Sequence, residues 1–167
     1  ALRDEFARIV GVWHELHRKV SQKKLNGVES FDLHVALIAE QLQYLQMIID
    51  TYQLNLDQDA ASYFLIEAGL VQLPELTEML GQIRGLGVGF LARGGMTSEE
   101  RAQLNALLLM SQAKMKNLNI NVDKASVARI NDQGTIADNY QAIKTQHQKI
   151  VDLTQREILS KEQLSYA

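Results

Sequence analysis

The sequence predicts an all-α protein, an elongated antiparallel up-and-down bundle of the four-helix-bundle type with about five long helices in a single domain, residues 1–167. Three observations predict it. Apolar residues recur at alternating spacings of three and four through most of the chain, the rhythm of helices packed nearly parallel to a partner. Alternation of period two, the strand signal, extends nowhere over a useful length. The chain carries a single proline, Pro74, in 167 residues, so little interrupts long helices.

Each helix has its own seam. The first reads Leu2, Phe6, Ile9, Trp13, Leu16, Val20. Asn26-Gly27 and Ser30 separate it from the second, with Ser30 as the expected cap. The second seam is Phe31, Val35, Ile38, Leu42, Leu45, Ile49, Tyr52, Leu56. Asp57 and Asp59 precede the third helix, where a carboxylate favours the positive end of the dipole. That helix reads Ser62, Ile66, Gly69, Leu73, Leu76, Leu80, Ile83, Gly87, Phe90, and Pro74 within it predicts a kink or a break. Gly94-Gly95 ends it, and Thr97-Ser98-Glu99-Glu100 is a capping box opening the fourth. The fourth seam is Leu104, Leu108, Ser111, Met115, Leu118, Val122, Ala125. Asp132-Gln133-Gly134-Thr135 makes the last turn, and the fifth seam, Ile136, Tyr140, Ile143, His147, Ile150, fades afterwards.

Composition excludes several classes. At 46% hydrophobic residues the chain is not disordered, and a formal charge of −3 offers no excess of cations to neutralise nucleic-acid phosphates. No cysteine is present, which removes disulfide scaffolds, zinc ribbons and thiol catalysis. No apolar run approaches the roughly 20 residues of a spanning helix. Both ends lie in helical rhythm without a cap or a terminator, and they read as cuts from a longer protein.

The acid-base inventory is thin. His14 and His17 stand three apart, but His-Glu-Leu-His is not the zinc-protease spacing and no second ligand pair accompanies it. No metal, cofactor or catalytic residue is expected, and the chain reads as a non-enzyme. His147, on a seam, reads as a hydrogen-bonded core histidine, and His34 as facing solvent or a partner. The polar seam residues Ser62 and Ser111 either mark a hydrated interior or bond to backbone carbonyls.

The stretch from Leu80 to Gly95 is unusual. Gly81, Gly85, Gly87 and Gly89 sit in a helical pattern where each costs roughly 1 kcal/mol relative to Ala. Close helix–helix approach would offset that cost; so would a helix loosened to pass a ligand or a signal. Arg84 lies among them, with Arg93 beyond. Its guanidinium either clamps a carboxylate ligand bidentately or pairs within the chain with Glu75, Glu78 or another carboxylate. The aromatics Trp13, Tyr44, Tyr52, Tyr63 and Tyr140 are candidate pocket walls, although Trp13 and Tyr52 also lie on seams and suit core packing.

Between Ile49 and Leu107 the residues form a pattern. Ile49-Asp50-Thr51, Leu54-Asn55-Leu56-Asp57, Ser62-Tyr63-Phe64-Leu65, Leu73-Pro74, Gly81-Gln82-Ile83-Arg84-Gly85-Leu86-Gly87, Leu91-Ala92-Arg93-Gly94 and Thr97-Ser98-Glu99-Glu100-Arg101 follow one another. This resembles the helical extracytoplasmic sensor region of bacterial methyl-accepting chemotaxis proteins, a pattern also found ahead of some sensor histidine kinases. The chain departs from it with Tyr52 in place of a serine and Gln58 in place of a proline.

The resemblance implies a periplasmic domain of a bacterial inner-membrane chemoreceptor, anchored by helices outside this sequence and paired with a second copy. It would detect a small molecule or a periplasmic binding protein and pass the signal through its helices. Arg84, Tyr52, Tyr63 and Trp13 are the ligand-binding candidates. The alternatives are the sensor domain of a membrane histidine kinase and a coiled-coil interaction or scaffold module.

Overall fold

A computed structural model describes residues 1–128 and 134–161. The helices are α1 (Leu2–Ser21), α2 (Gly27–Thr51), α3 (Ala60–Ile66), α4 (Leu73–Arg93), α5 (Ser98–Ala128) and α6 (Thr135–Thr154). A π-helical turn, Glu67–Gln72, joins α3 to α4 and another, Gln155–Leu159, prolongs α6. Because α3 runs on into α4, the described residues form five helical rods and no strand, as an all-α bundle requires. They gather into two compact units, Ala1–Leu56 and Asp57–Ala167.

The first unit is the α1–α2 hairpin. Ile9 and Leu16 of α1 and Leu37 of α2 are buried together, with Leu25 and Tyr44 packed against them. Phe6 reaches Tyr44 at 6.0 Å between ring centres, and Arg8 pairs with Glu40 at 3.1 Å. Only part of the first expected seam is therefore core, since Phe6, Trp13 and Val20 remain 55%, 45% and 42% exposed. On α2 the buried residues are Leu37 and Ile49; Ile49 lies on the expected seam, whereas Leu37 does not, and Val35 and Ile38 of that seam are half-buried. Leu37, Glu40 and Tyr44 share the three-four rhythm with that seam, so spacing alone could not select the face. The cap of α2 is Asn26, not Ser30. Its side chain accepts from the Glu29 N–H, and the Glu29 carboxylate accepts from the Asn26 N–H, both at 2.9 Å. Ser30 falls inside the first turn.

The second unit packs the α3–α4 rod on α5, and α5 on α6. Asp59 caps α3 by accepting from the Ser62 N–H at 2.8 Å. At Pro74 the rod neither stops nor stays regular. Proline has no N–H to give, and the π turn before it lets the Leu73 N–H reach the Ala68 carbonyl, five residues back. The wider turn shifts the buried face by one residue. Beyond it Leu76, Ile83, Gly87 and Phe90 are buried on the expected register. Before and within it the buried residues are Ala61, Ala68 and Gln72, each one position ahead of the expected Ser62, Gly69 and Leu73.

Gly94 ends α4 in the left-handed region at φ 73°, and the Gly95 N–H returns to the Phe90 carbonyl. Thr97 and Glu100 then close the capping box of α5. The buried residues of α5 are the seven of its expected seam, Leu104 to Ala125. In the last turn, Asp132 and Gln133 lie outside the described residues; Gly134, at φ 82°, leads into α6. The α6 seam does not fade at Ile150. Val151, Thr154 and Ile158 are buried as well, the last on the π turn.

Two apolar clusters form this unit. One joins Ile83, Phe90, Leu104, Leu108, Val151 and Ile158. The other joins Ala68, Leu76, Met115, Leu118, Val122 and Tyr140.

Candidate functional site

The glycine-rich face of α4 resolves into two kinds of position. A Cβ on Gly87 would stand 2.8 Å from Cδ1 of Ile158, so this glycine permits close approach of the α6 end. Gly89 has nothing within 4 Å, and a Cβ on Gly81 would meet only Glu78 at 3.9 Å. Packing therefore accounts for Gly87 and leaves Gly81 and Gly89 without a packing reason.

Arg84 rises from this face one turn beyond Gly81 and is exposed. Neither Glu75 nor Glu78 pairs with it. Glu75 binds the Lys114 ammonium from α5, and Glu78 accepts from Gln82 at 2.8 Å. Among the described residues Arg84 makes no ion pair or hydrogen bond, which leaves its planar fork of donors open to an outside anion. Arg93 differs: it pairs with Glu100 at 2.7 Å and lies over the Phe90 ring. Glu100 is held below the usual carboxylate range, first by the Thr97 N–H and then by Arg93.

Of the aromatic candidates, Tyr63 shares a unit with Arg84, and Trp13 and Tyr52 lie in the other. Tyr63 sits on α3, edge-on to Phe64 at 5.3 Å and 38% exposed. Twenty-one residues of rod separate it from Arg84, about 30 Å at 1.5 Å per residue. Trp13 and Tyr52 belong to the first unit. Trp13 leans on His17 at 5.9 Å. It is 45% exposed, and Tyr52 stands at the C-terminal cap of α2 at 67% exposure. Within the second unit the structure thus supplies an open guanidinium on α4 and, well along the rod from it, the Tyr63 ring.

Among the described residues no group of three histidines or carboxylates is placed to hold a metal. His34 Nδ1 lies 2.6 Å from the Ser30 carbonyl, to which it donates.

Spacing did not reveal one pairing. Ser111 and His147 each occupy a seam, and the α5–α6 packing brings Ser111 Oγ to 3.1 Å from His147 Nε2. Both are buried. The serine hydroxyl lies 2.8 Å from the Leu108 carbonyl, which can only accept, so its one proton is committed there. The imidazole must then donate Nε2–H to the serine oxygen. A nucleophile and base would need the opposite direction and an open approach. This is a core hydrogen bond, and burial pushes the imidazole below its ordinary pKa. Arg101 was likewise unforeseen. It donates to the carbonyls of Leu159 and Lys161 at the end of the α6 rod, beside an open hollow of about 320 Å³ lined by Ser98, Ala102 and Asn105.

The family model described as nitrate and nitrite sensing matches residues 1–164. No curated protein and no solved structure matches the chain.

Proposed function

The chain belongs to the nitrate and nitrite sensing family, extracytoplasmic sensor domains of signalling proteins, and from that premise we propose that it is the periplasmic ligand-binding domain of a bacterial inner-membrane chemoreceptor. The observation that carries the reading is the family match over nearly the whole chain. The chemoreceptor output rests on the pattern from Ile49 to Leu107. The domain acts by binding rather than catalysis, as a homodimer in a parent protein held in the membrane by segments outside this sequence. No helix among the described residues is long and apolar enough to cross a membrane.

Nitrate or nitrite binds directly, and Arg84 is its anchor. Both are planar oxyanions that present paired oxygens in one plane, the shape a guanidinium meets with two parallel N–H donors. An arginine already paired with Glu75 or Glu78 would have to break that pair first; Arg84 has no such partner. The ligand moves the bundle only by its difference in affinity for two arrangements of packed helices.

The test is a thermal-shift and calorimetric titration with sodium nitrate and sodium nitrite, against sodium chloride as control. Nitrate or nitrite should raise the melting temperature in a dose-dependent way, equivalent to about 2.7 kcal/mol at one hundred times Kd. Absence of any shift with either anion overturns direct sensing. A response that survives Arg84→Ala leaves the family reading intact and removes Arg84 from the site.

A further inference from the structure

We propose that the Ser111–His147 pair is a proton-operated joint in the second unit: the neutral imidazole closes the α5–α6 seam, and the imidazolium loosens it. The inference goes beyond anion sensing and does not rest on it.

The pair lies between the two apolar clusters along α5 and α6. Along α5 the buried residues run Leu108, Ser111, Met115, with Leu108 in one apolar cluster and Met115 in the other. Along α6, Tyr140 belongs to the second cluster and Val151 to the first, with His147 between them. On α5 and α6 a polar step therefore stands between two apolar ones, while Leu80 of α4 packs against both clusters, and α5 and α6 meet at that step through a single chain of bonds. It runs from His147 Nε2–H to Ser111 Oγ and from Ser111 O–H to the Leu108 carbonyl.

A second proton can enter the ring only at Nδ1, and no acceptor among the described residues meets that atom. Nor does a counter-charge stand ready. On α5 the nearest charge in register is Lys114, one turn from Ser111 and bound to Glu75 of α4. Lys144 lies three residues before His147 on α6 and is exposed. On α4 the remaining charges at this height are Glu78, which accepts from Gln82, and exposed Arg84. Burial is what acts on the ring. A protonated ring would be a buried cation without a carboxylate, and it is relieved by moving toward water.

The sign follows. The folded form binds the proton less readily than the unfolded chain does, so stability falls as pH drops below about 6.5 and levels off beneath the folded-state value.

The experiment uses the whole chain between about pH 7.5 and about pH 5. The His147 ring resonance is followed by NMR, and amide exchange across residues 140–151 is corrected for its intrinsic pH dependence. His147 should titrate below about 6.5. Exchange in 140–151 should accelerate at least tenfold on protonation, while the α1–α2 hairpin stays unchanged. His147→Gln retains an N–H for Ser111 but cannot take the proton, so it should lose the acceleration. Titration at or above about 6.5 overturns the proposal, as does equal acceleration in His147→Gln. If that variant does not fold, the ring titration and exchange of the unaltered protein still decide.

Discussion

Adding a methyl group at Gly87 sets two effects of similar size against each other. Replacing a helix-interior glycine by alanine gains about 0.5–1 kcal/mol, because the unfolded chain loses freedom and the helix propensity rises. At Gly87 the new Cβ would also arrive 2.8 Å from Ile158 Cδ1, well inside the 3.5–4.0 Å of an ordinary carbon contact. Cδ1 is the free end of a side chain, but Ile158 is buried among Ile83, Phe90, Leu104 and Leu108 and has little room to turn. Overpacking of this kind costs about 1–3 kcal/mol. The expected balance is a loss of about 0.5–2 kcal/mol for Gly87→Ala. Gly89→Ala, two residues on with nothing within 4 Å, should gain about 0.5–1 kcal/mol. Ile158→Val removes the atom in the way, so Gly87→Ala/Ile158→Val should be better than additive by about 1 kcal/mol. Urea unfolding followed by far-UV circular dichroism measures all four proteins. Trp13 fluorescence is no substitute, since the only tryptophan sits in the first unit. If Gly87→Ala is as stabilising as Gly89→Ala, the close approach of Gly87 to the end of α6 is not what the structure says it is.

Ser111→Ala leaves the buried Nε2–H of His147 without an acceptor and should cost about 1–3 kcal/mol, whereas Ser111→Ala/His147→Leu, which removes both partners, should recover most of that loss in urea unfolding. Leu104→Ala, at a side chain fully buried between α4, α5 and α6, should cost about 3–5 kcal/mol in the same assay. Asn26→Ala removes the cap of α2 and should cost about 1 kcal/mol, while Ser30→Ala, inside the first turn, should stay within about 0.5 kcal/mol of the parent. Arg84→Ala should change stability by less than about 0.5 kcal/mol, since no ion pair or hydrogen bond among the described residues uses it, and yet abolish the nitrate-induced rise in melting temperature.

The fold was most legible where one apolar stripe had one partner face. Leu104 to Ala125 on α5 is such a stripe, and every residue of it is buried as the spacing requires. It was less legible on α2, where Val35, Leu37 and Ile38 offer apolar character on adjoining faces and only the position of α1 selects Leu37. The register of α3 failed for a different reason. Pro74 announced a disturbance, but spacing cannot tell whether a chain meets a missing N–H by bending, breaking or widening one turn. Widening shifts every residue before it by one position, and Gly69, expected on the seam, becomes exposed while Ala68 is buried.

The candidate site divides along the same line. That Arg84 carries a charge on a helix poor in side chains is sequence; that Glu75 and Glu78 are spent on Lys114 and Gln82 is tertiary structure. Ser111 and His147 show the limit most clearly. Each is readable as a polar residue on an apolar seam, and 36 residues separate them. Their meeting depends on how α5 and α6 slide past each other, and that slide is set by the apolar clusters on both sides, one holding Leu108 and Val151 and the other Met115 and Tyr140. The hydrogen bond is a consequence of the register that the apolar clusters impose. It follows that changes in those clusters should reach the pair even where they touch neither residue, because a bond 3.1 Å long cannot survive a shift of one helical step, 1.5 Å per residue.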